Sequence, residues 1–465
     1  MSFALDAYSA MPVWIQNAAL SLYGLRVQRT RYGRVQRETL RRLRDSERFD
    51  AAALEHLQLS ALSAVVARAR REVPFYRERL PAAIEIQSLA DLRKLPLLTK
   101  DEVKAAGLRL SSEAVPRSRR MEIHTGGTTG KPLTIYCDRE TVQRNYAFFA
   151  RFRLWAGVPT DGRVATFAGR RIVPADSSGP YWRTNLFART RLFSSYHIST
   201  TTLDAYLDAL AEFSPALIDC YPSSIEPLAV RALERGLRSI RPRAVITSSE
   251  TLFPETRHAI EQAFGCPVFD HYGAAEMSAF ITQCENGSYH VNPEFGVVEL
   301  LRDGEPVGPG EQGEIVATGF VNPVMPLIRY ATGDRAVSGE TACACGRHFP
   351  TISMLEGRMD DVVITPDGRR VGRLDPIFKA VSSLYETRIV QDRVDHLRVE
   401  VVLRGELPVD EERILVDELR ARVGPAMSID VVRVDAIERT GSGKLRTVVN
   451  LCDPHRRARA ETRGE

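Results

Sequence analysis

Short apolar runs alternate with helical segments across the middle of this sequence, and that alternation constrains the fold more than any other feature. Four runs have the length and composition of buried strands: 163–167, 216–219, 244–247 and 267–269. Segments with helical spacing of apolar residues accompany them at 202–213, 226–235 and 254–264. Strands that alternate with helices pair mostly in parallel, so the pattern predicts an α/β core.

The two ends of the chain differ from this core. Roughly the first hundred residues have helical patterns, for example at 51–72 and 101–110. Residues 296–336 contain strands separated by turn-rich sequence, which favours an antiparallel or barrel-like β section, and a separate β-α-β pattern begins after Gly357. We therefore predict a large N-terminal α/β domain, made of a helical segment at 1–120 and a core at 121–359, and a small, mobile α+β domain at 360–465.

Charge and hydropathy exclude several classes of protein. The 465 residues carry a net charge of only +4, which argues against a nucleic-acid or membrane partner. Residues 11–25 are the nearest candidate for a membrane segment, but they include Gln16 and Asn17 and lack the basic start of a signal peptide. Seven cysteines are spread along the chain without the spacing of a disulfide framework. We expect a soluble, cytoplasmic protein.

A glycine- and threonine-rich loop is the most informative stretch. Its glycines let the backbone approach phosphate oxygens, its adjacent threonine hydroxyls add donors, and its lysine adds a mobile positive charge. It is not a Walker A loop, because only three residues separate Gly126 from Gly130 and Pro132 follows the lysine. A glycine-rich surface turn is the alternative interpretation. The candidate phosphate-binding residues are Thr125, Gly126, Gly127, Thr128, Thr129, Gly130 and Lys131.

Five ordered motifs resemble those of the acyl-adenylate-forming superfamily, which includes acyl-CoA synthetases, luciferases and peptide-synthetase adenylation domains. The glycine loop resembles its phosphate-binding motif, and residues 270–276 (DHYGAAE) resemble its aromatic-Gly-x-x-Glu motif. The other three are the ribose-binding, hinge and C-terminal lysine motifs, at 330–334 (YATGD), 357–361 (GRMDD) and 440–444 (TGSGK). The resemblance implies a large adenylate-forming domain followed by a small lid domain.

Four shorter segments resemble the phenylacetate–CoA ligase and capsule-biosynthesis (CapK-like) branch of that superfamily. They are 73–76 (VPFY), 95–100 (LPLLTK), 325–330 (MPLIRY) and 345–347 (CGR). The resemblance covers nearly the whole chain, and the branch is usually dimeric, so a homodimer is expected.

The resemblance also implies roles for the charged motif residues. Lys444 would contact the α-phosphate of ATP and the substrate carboxylate, where negative charge gathers in the transition state. Glu276 would hold Mg²⁺, while Thr128, Thr129 and Lys131 would position the β- and γ-phosphates. Singly, each residue has a structural alternative, such as a helix-start glutamate or a solvated loop lysine.

The remaining motif residues would bind the nucleoside and move the small domain. Asp334 would accept hydrogen bonds from both ribose hydroxyls. Tyr272, followed by Gly273, would lie along the adenine, and Arg358 would lie near the ribose. Asp360 would be the hinge between an adenylating and a transferring arrangement.

Two positions are less regular. His197 is a further candidate catalytic residue, at the entrance for the acid, with a satisfied structural histidine as the alternative. Ala275 stands where the superfamily more often has Thr or Ser, so a hydroxyl expected near the α-phosphate or the carboxylate is missing.

Two pairs of soft ligands indicate a structural metal. Cys284 and His290 form one pair and Cys343 and Cys345 the other, in loop-like sequence. Four such ligands suit tetrahedral Zn²⁺, and related branch members have a similar cysteine pair. Free thiols are the alternative.

The leading hypothesis is ATP-dependent activation of a carboxylic acid to acyl-AMP, followed by transfer to coenzyme A. An aryl acid is favoured by aromatic residues at Phe167, Tyr181, Trp182, Phe187 and Tyr196, although core packing explains them equally well. The acceptor could instead be an amine or a carrier-protein thiol, because no motif identifies its channel. An inactive adenylate-binding protein is the non-enzymatic alternative.

Overall fold

The computed structural model describes residues 8, 11–81, 84–124, 133–159, 161–168, 172–174, 177–199, 201–339, 342–356, 363–368, 370–371, 374–378, 381, 383–403, 406–437 and 448–452. Within them the α-helices are α1 (Val13–Arg31), α2 (Arg34–Ser46), α3 (Ala51–Glu72), α4 (Pro74–Arg79), α5 (Lys100–Ala106), α6 (Arg139–Trp155), α7 (Leu203–Phe213), α8 (Pro222–Glu234), α9 (Pro254–Phe264), α10 (Asp375–Phe378) and α11 (Val409–Val423). Short 3₁₀ helices lie at Leu89–Lys94, Gly107–Leu110, Arg117–Arg119 and Ser195–His197.

The strands of the same residues follow in chain order. They are β1 (Met121–His124), β2 (Thr134–Cys137), β3 (Val164–Ala168), β4 (Trp182–Asn185), β5 (Thr190–Ser194), β6 (Leu217–Cys220), β7 (Ala244–Ser248), β8 (Val268–Gly273), β9 (Phe280–Gln283), β10 (Tyr289–Val291), β11 (Gly296–Arg302), β12 (Glu305–Pro306), β13 (Gln312–Gly319), β14 (Tyr330–Ser338), β15 (Thr351–Glu356), β16 (Val363–Ile364), β17 (Arg370–Val371), β18 (Leu384–Arg393), β19 (His396–Leu403), β20 (Ser428–Arg433) and β21 (Val448–Asn450).

One large mixed sheet dominates the described part of the chain. Its 13 strands run in the order β12-β11-β13-β14-β15-β10-β9-β8-β7-β6-β3-β5-β4. The pairs β5/β3, β3/β6, β6/β7 and β7/β8 are parallel, which confirms the predicted α/β core. The strands from β9 to β15 are antiparallel, as the turn-rich sequence indicated, and they continue the same sheet through the β8/β9 pair.

Strand alternation places helices on both faces of the parallel region. Ile218 and Val245 point to one face, where they pack in a cluster that includes residues of α7, α8 and α9. Leu217 and Ile246 point to the other face, in a cluster that includes Phe148 and other residues of α6. The carboxyl ends of β6, β7 and β8 therefore meet at one edge between two helical layers.

Local sequence signals set most helix ends. Thr99 and Glu102 form the capping box that begins α5, and Gly107, at φ +50, ends it before the predicted helix continues as a 3₁₀ turn. The helix expected at 226–235 begins earlier, at Pro222, because proline is favourable in the first helical turn.

The C-terminal part has its own sheet and core. Its strands run in the order β20-β19-β18-β21, with a β18/β19 hairpin flanked by parallel pairs. Val399 and Leu415 belong to one buried cluster there, so α11 packs on this sheet. In the part of the chain that is described, no helix combines the length and apolar character needed to cross a bilayer.

Candidate active site

Strands β1 and β2 flank the glycine loop in the sequence. They pair from Met121 opposite Cys137 to His124 opposite Thr134. The loop residues, 125–132, lie outside the described residues. Leu133, which follows the loop and precedes β2, is buried and belongs to the same apolar cluster as Tyr330. The end of the loop sequence and the start of the YATGD motif therefore share one part of the core.

The DHYG and YATGD motifs meet through a side-chain hydrogen bond. The Tyr272 hydroxyl donates to Asp334 Oδ2 at 2.8 Å. Thr332 donates its hydroxyl to the Ile315 carbonyl and accepts from the Asp334 N–H at 3.1 Å, which fixes the turn before the carboxylate. Burial and the Asp334 charge raise the pKa of Tyr272 well above its usual value, so it stays a hydroxyl donor.

The two residues before Tyr272 lie on opposite faces of β8. Asp270 is buried and accepts hydrogen bonds from Thr247 Oγ1 and the Tyr289 hydroxyl, both at 2.7 Å. Burial raises its pKa to about 6. His271 has one ring nitrogen 3.1 Å from the Thr247 carbonyl oxygen, and burial lowers its pKa. Both side chains therefore stabilise the strand that positions Tyr272.

A second tyrosine–carboxylate pair lies beside the first. The Tyr330 hydroxyl donates to Glu276 Oε1 at 3.1 Å. Tyr330 is buried, whereas Glu276 is half-buried in the turn between β8 and β9. The fold consequently brings Tyr272, Glu276 and Asp334 together, and their role in binding a nucleotide stays a prediction.

The segment that precedes Tyr330 is fixed by the N-terminal helical region. The Tyr76 hydroxyl donates to the Pro326 carbonyl at 3.1 Å and accepts from the Ile328 N–H at 3.0 Å. Backbone bonds of 2.9 Å join Leu98 to Arg329 and to Ala331. Two of the short branch segments, 73–76 and 95–100, are therefore each bonded to the third, 325–330.

Arg329 makes a buried ion pair behind the site. Its guanidinium donates two 3.0 Å bonds to Glu299 and one of 2.7 Å to the Leu95 carbonyl. A bidentate pair satisfies both charges in a water-poor environment. The pair fixes the strand end that presents Tyr330.

Two facing glycines let the Glu276 turn approach the sheet. Gly296 and Gly319 lie opposite each other on β11 and β13. A Cβ on Gly296 would lie 2.9 Å from the Ser278 carbonyl, and one on Gly319 would lie 2.7 Å from the Met277 carbonyl. Both contacts are closer than real Cβ atoms allow, so the turn's position depends on both glycines.

His197 has a protein partner at each ring nitrogen. Nε2 lies 2.9 Å from the Pro174 carbonyl, which only accepts, so Nε2 carries the proton. Nδ1 then accepts from Ser194 Oγ at 2.8 Å, and the ring stacks on Tyr181. This geometry favours a positioning role.

The four predicted metal ligands converge. One ligand atom from each of Cys284, His290, Cys343 and Cys345 lies within 4.8 Å of all the others. The Sγ atoms of Cys284 and Cys343 are 3.7 Å apart, close to the roughly 3.8 Å expected for two thiolates on tetrahedral zinc. His290 Nε2 is 3.3 Å from Cys345 Sγ, and Nδ1 lies 3.3 Å from the Phe349 carbonyl, which orients the ring. The donor set fits Zn²⁺.

Comparison with known proteins identifies the relatives of this chain. Residues 363–451 match the CapK C-terminal domain family. Protein CapK of Staphylococcus aureus is 26% identical over 455 residues, which cover 95% of this chain and 98% of that protein. The phenylacetate-coenzyme A ligase of Thermus thermophilus is 25% identical over 82% of this chain and 86% of that protein.

The chain is similar to CapK and to the phenylacetate-coenzyme A ligases.

A solved structure supports the fold independently. 2-Hydroxyisobutyryl-CoA ligase, in complex with 2-HIB-AMP and CoA, superimposes with a TM-score of 0.61 at 21% identity. The match covers 90% of this chain and 94% of that chain. The chain therefore shares the fold of that structure.

Several predicted site residues cannot be located. Arg358, Asp360 and Lys444, together with the loop residues Thr125, Gly126, Gly127, Thr128, Thr129, Gly130 and Lys131, fall outside the described residues. Gly273 ends β8, and Ala275 is exposed in the turn that also carries Glu276.

Sequence reasoning missed the residues that support the site. Gly296 and Gly319 carry no signal beyond being glycines in apolar strands, and only the three-dimensional packing reveals their role. Tyr76 and Arg329 were recognised as parts of motifs, but the sequence does not say that they hold the Tyr330 segment.

Proposed function

We propose that this protein is an AMP-forming acid–thiol ligase, which activates a carboxylic acid with ATP and transfers the acyl group to coenzyme A. The observation that carries the proposal is the convergence of the Tyr272–Asp334 and Tyr330–Glu276 pairs beside the base of the glycine loop. Similarity to ligases whose names include coenzyme A supports the acceptor. These co-substrates argue for a cytoplasmic reaction.

In the first step, a carboxylate oxygen of the acid forms a bond to the α-phosphorus of ATP. The bond from that phosphorus to the bridging oxygen breaks, pyrophosphate leaves, and acyl-AMP remains. In the second step, the coenzyme A sulfur attacks the acyl carbon, the C–O bond to AMP breaks, and the thiol proton passes to solvent. Each step moves negative charge, which fixed cations and hydrogen-bond donors stabilise.

The described residues bind and orient the nucleotide in this proposal. Tyr272 donates a hydrogen bond to one oxygen of Asp334 and so fixes the carboxylate, which would accept hydrogen bonds from the ribose hydroxyls. Glu276 is oriented by Tyr330 and would hold Mg²⁺, which neutralises phosphate charge when bound. Lys444 would supply the positive charge at the α-phosphate, with Arg358 near the ribose and Asp360 as the hinge.

Structural zinc is part of the same proposal. Cys284 follows β9 and His290 lies on β10, whereas Cys343 and Cys345 lie in the β14–β15 connection, so the cluster joins these two parts of the sheet. Glu276 lies in the turn before β9, and Asp334 lies on β14. Zinc would therefore fix the antiparallel end of the sheet rather than take part in the reaction.

Several of the aromatic residues that favoured an aryl acid belong to the core. Phe167 on β3 is buried and stacks on Phe193 with ring centroids 4.8 Å apart, and Trp182 packs against the same cluster. Phe187 is exposed. Core packing thus accounts for much of the aromatic content that favoured an aryl acid.

Pyrophosphate release across a panel of aryl, hydroxy and aliphatic acids tests the proposal. Coenzyme A, amines, hydroxylamine and a carrier protein serve in turn as acceptors. We expect AMP and pyrophosphate in equal amounts and a thioester product only with coenzyme A. Faster turnover with an amine or a carrier protein would mean that this compound, and not coenzyme A, is the acceptor. Absence of pyrophosphate release with every acid would contradict the proposed enzymatic activity. A homodimer remains a prediction, and light scattering tests it by measuring the molar mass of the protein in solution.

A further inference from the structure

Helix α1 buries polar side chains and exposes large apolar ones. Its polar residues Gln16 and Ser21 are each only 2% exposed, whereas Trp14 is 72% and Leu22 is 64% exposed. A surface helix normally turns its apolar stripe inward. In α1 the three fully buried residues are instead Gln16, Ser21 and Gly24, while large apolar side chains are exposed.

Polar residues of α1 are buried because the helix covers the edge of the large sheet. Strand β4 is the last strand in the order, so one row of its backbone groups has no partner strand. Asn17 Oδ1 accepts from the Thr184 N–H at 2.8 Å, and Ser21 Oγ accepts from the Leu186 N–H at 3.0 Å. These bonds fix the rotation of α1 and therefore direct its other face to solvent.

The exposed apolar residues of α1 form a surface that we call the α1 face. Trp14, Ala18 and Leu22 follow one another at spacings of four residues, so they share one side of the helix, and the exposed Met11 lies just before its first turn. Phe187 at the β4–β5 turn is 56% exposed, and its neighbour Leu186 is tied to Ser21. An exposed apolar stripe of this kind marks an interaction surface.

The charge beside the α1 face is strongly positive. Helix α1 contains no acidic residue, and residues 26–48 contain nine arginines against three acidic residues. Arg26 and Arg29 are exposed on the last turns of α1, and Arg37 and Arg41 are exposed on α2. The whole chain's charge of +4 conceals this local excess.

We propose that the α1 face binds an anionic lipid surface, with Trp14 and Leu22 in the headgroup region and the arginines on the lipid phosphates. An apolar helical face bordered by arginine is the pattern of helices that lie in a membrane interface without crossing it. A second copy of the chain fits less well. Symmetrical contact would place one basic α1 against another, with no carboxylate on α1 to pair with the arginines.

Co-sedimentation of the full chain with lipid vesicles tests this inference. One set of vesicles contains phosphatidylglycerol and phosphatidylcholine, and the other contains phosphatidylcholine alone. The paired substitution Trp14→Ser with Leu22→Ser removes the apolar contacts, and Arg26→Gln with Arg29→Gln removes two charges. Val409→Ser is the matched control, because Val409 is 83% exposed but lies on α11.

We expect the wild-type protein to bind the anionic vesicles. The Trp14→Ser/Leu22→Ser variant should bind them at least tenfold more weakly, and the Arg26→Gln/Arg29→Gln variant should lose roughly fivefold in affinity for each arginine removed. Val409→Ser should bind as the wild type does. Tryptophan emission should shift to the blue on binding, because Trp14 is exposed while Trp155 is buried. All variants should keep pyrophosphate release and the wild-type circular dichroism spectrum.

Two results would overturn the inference. One is failure of the wild-type protein to bind anionic vesicles at low salt. The other is a wild-type dimer that the Trp14/Leu22 pair converts to monomer in light scattering without any vesicle binding, which would make the α1 face an interface between copies.

Discussion

The Tyr330 hydroxyl donates a 3.1 Å hydrogen bond to Glu276, and this bond connects two motifs that are 54 residues apart in the sequence. Tyr330 itself is fixed by its buried surroundings and by the backbone bonds between Leu98 and its neighbours. The position of the Glu276 carboxylate therefore depends on residues far from the turn that carries it. Five predictions follow from contacts of this kind.

Tyr330→Phe removes the hydroxyl and keeps the ring. We expect the Mg²⁺ concentration for half-maximal pyrophosphate release to rise about tenfold, because Glu276 loses the donor that orients it. The matched control is Tyr289→Phe, which removes another buried hydroxyl–carboxylate bond, to Asp270. The control should lower the free energy of unfolding and leave the Mg²⁺ dependence unchanged; an equal change in both variants would contradict the assigned role.

Asp334→Asn should raise the KM for ATP by roughly 10–100-fold, because hydrogen bonds to a charged acceptor are lost. Comparing the KM for ATP with the KM for 2′-deoxy-ATP tests whether Asp334 binds the ribose 2′-hydroxyl. The wild type should discriminate strongly between the two nucleotides, and the variant should discriminate little. Unchanged discrimination in the variant would mean that Asp334 does not bind the ribose.

Cys343→Ser should reduce bound zinc from about one equivalent per chain to near none, because structural zinc needs four protein ligands. Elemental analysis measures the metal and thermal unfolding measures the accompanying loss of stability. Cys452→Ser is the control, since Cys452 lies outside the cluster. Wild-type protein that contains no metal after purification, and whose thermal stability chelators do not change, would contradict a structural zinc site.

Gly319→Ala should lower the rate of pyrophosphate release and the free energy of unfolding together. Its Cβ would lie 2.7 Å from the Met277 carbonyl, so the Glu276 turn must shift. Gly308→Ala is the matched control, because its Cβ would make only ordinary contacts, the nearest at 3.7 Å. Wild-type activity in Gly319→Ala would show that the turn tolerates the shift.

Asp270 makes stability depend on pH. Burial raises its pKa to about 6, above the roughly 4 of an unfolded chain, so between these values the native state binds more protons. Stability should therefore fall as pH rises from about 4 to about 6, by at most about 3 kcal/mol from this group. Urea unfolding across this range should show a flatter profile for Asp270→Asn; an unchanged slope would place the titration elsewhere.

Much of the fold was predictable because its signals are local. The apolar runs at 217–220 and 244–248 are buried on both faces, and the Thr99–Glu102 capping box is a short-range pattern. The convergence of Cys284, His290, Cys343 and Cys345 was also predictable, because two short ligand pairs already limit the arrangement.

Other features depend on contacts between distant segments. The Gly296–Gly319 pair matters only because the 277–278 backbone packs on it, and neither glycine has a distinctive neighbour in sequence. In the sequence Gln16 and Asn17 argue only against a membrane segment, whereas in the fold Asn17 accepts a hydrogen bond from the edge strand β4 and Ser21 accepts one from Leu186 just after it. No periodicity in the sequence identifies β4 as the element on which α1 packs.

In the proposed reaction a carboxylate oxygen of the substrate attacks the α-phosphorus of ATP. The decisive measurement is mass spectrometry of the nucleotide product after incubation of the protein with an ¹⁸O-labelled carboxylic acid, ATP and coenzyme A. We expect one ¹⁸O atom in AMP and none in pyrophosphate. ADP formation with the label in inorganic phosphate would rule out the proposed attack.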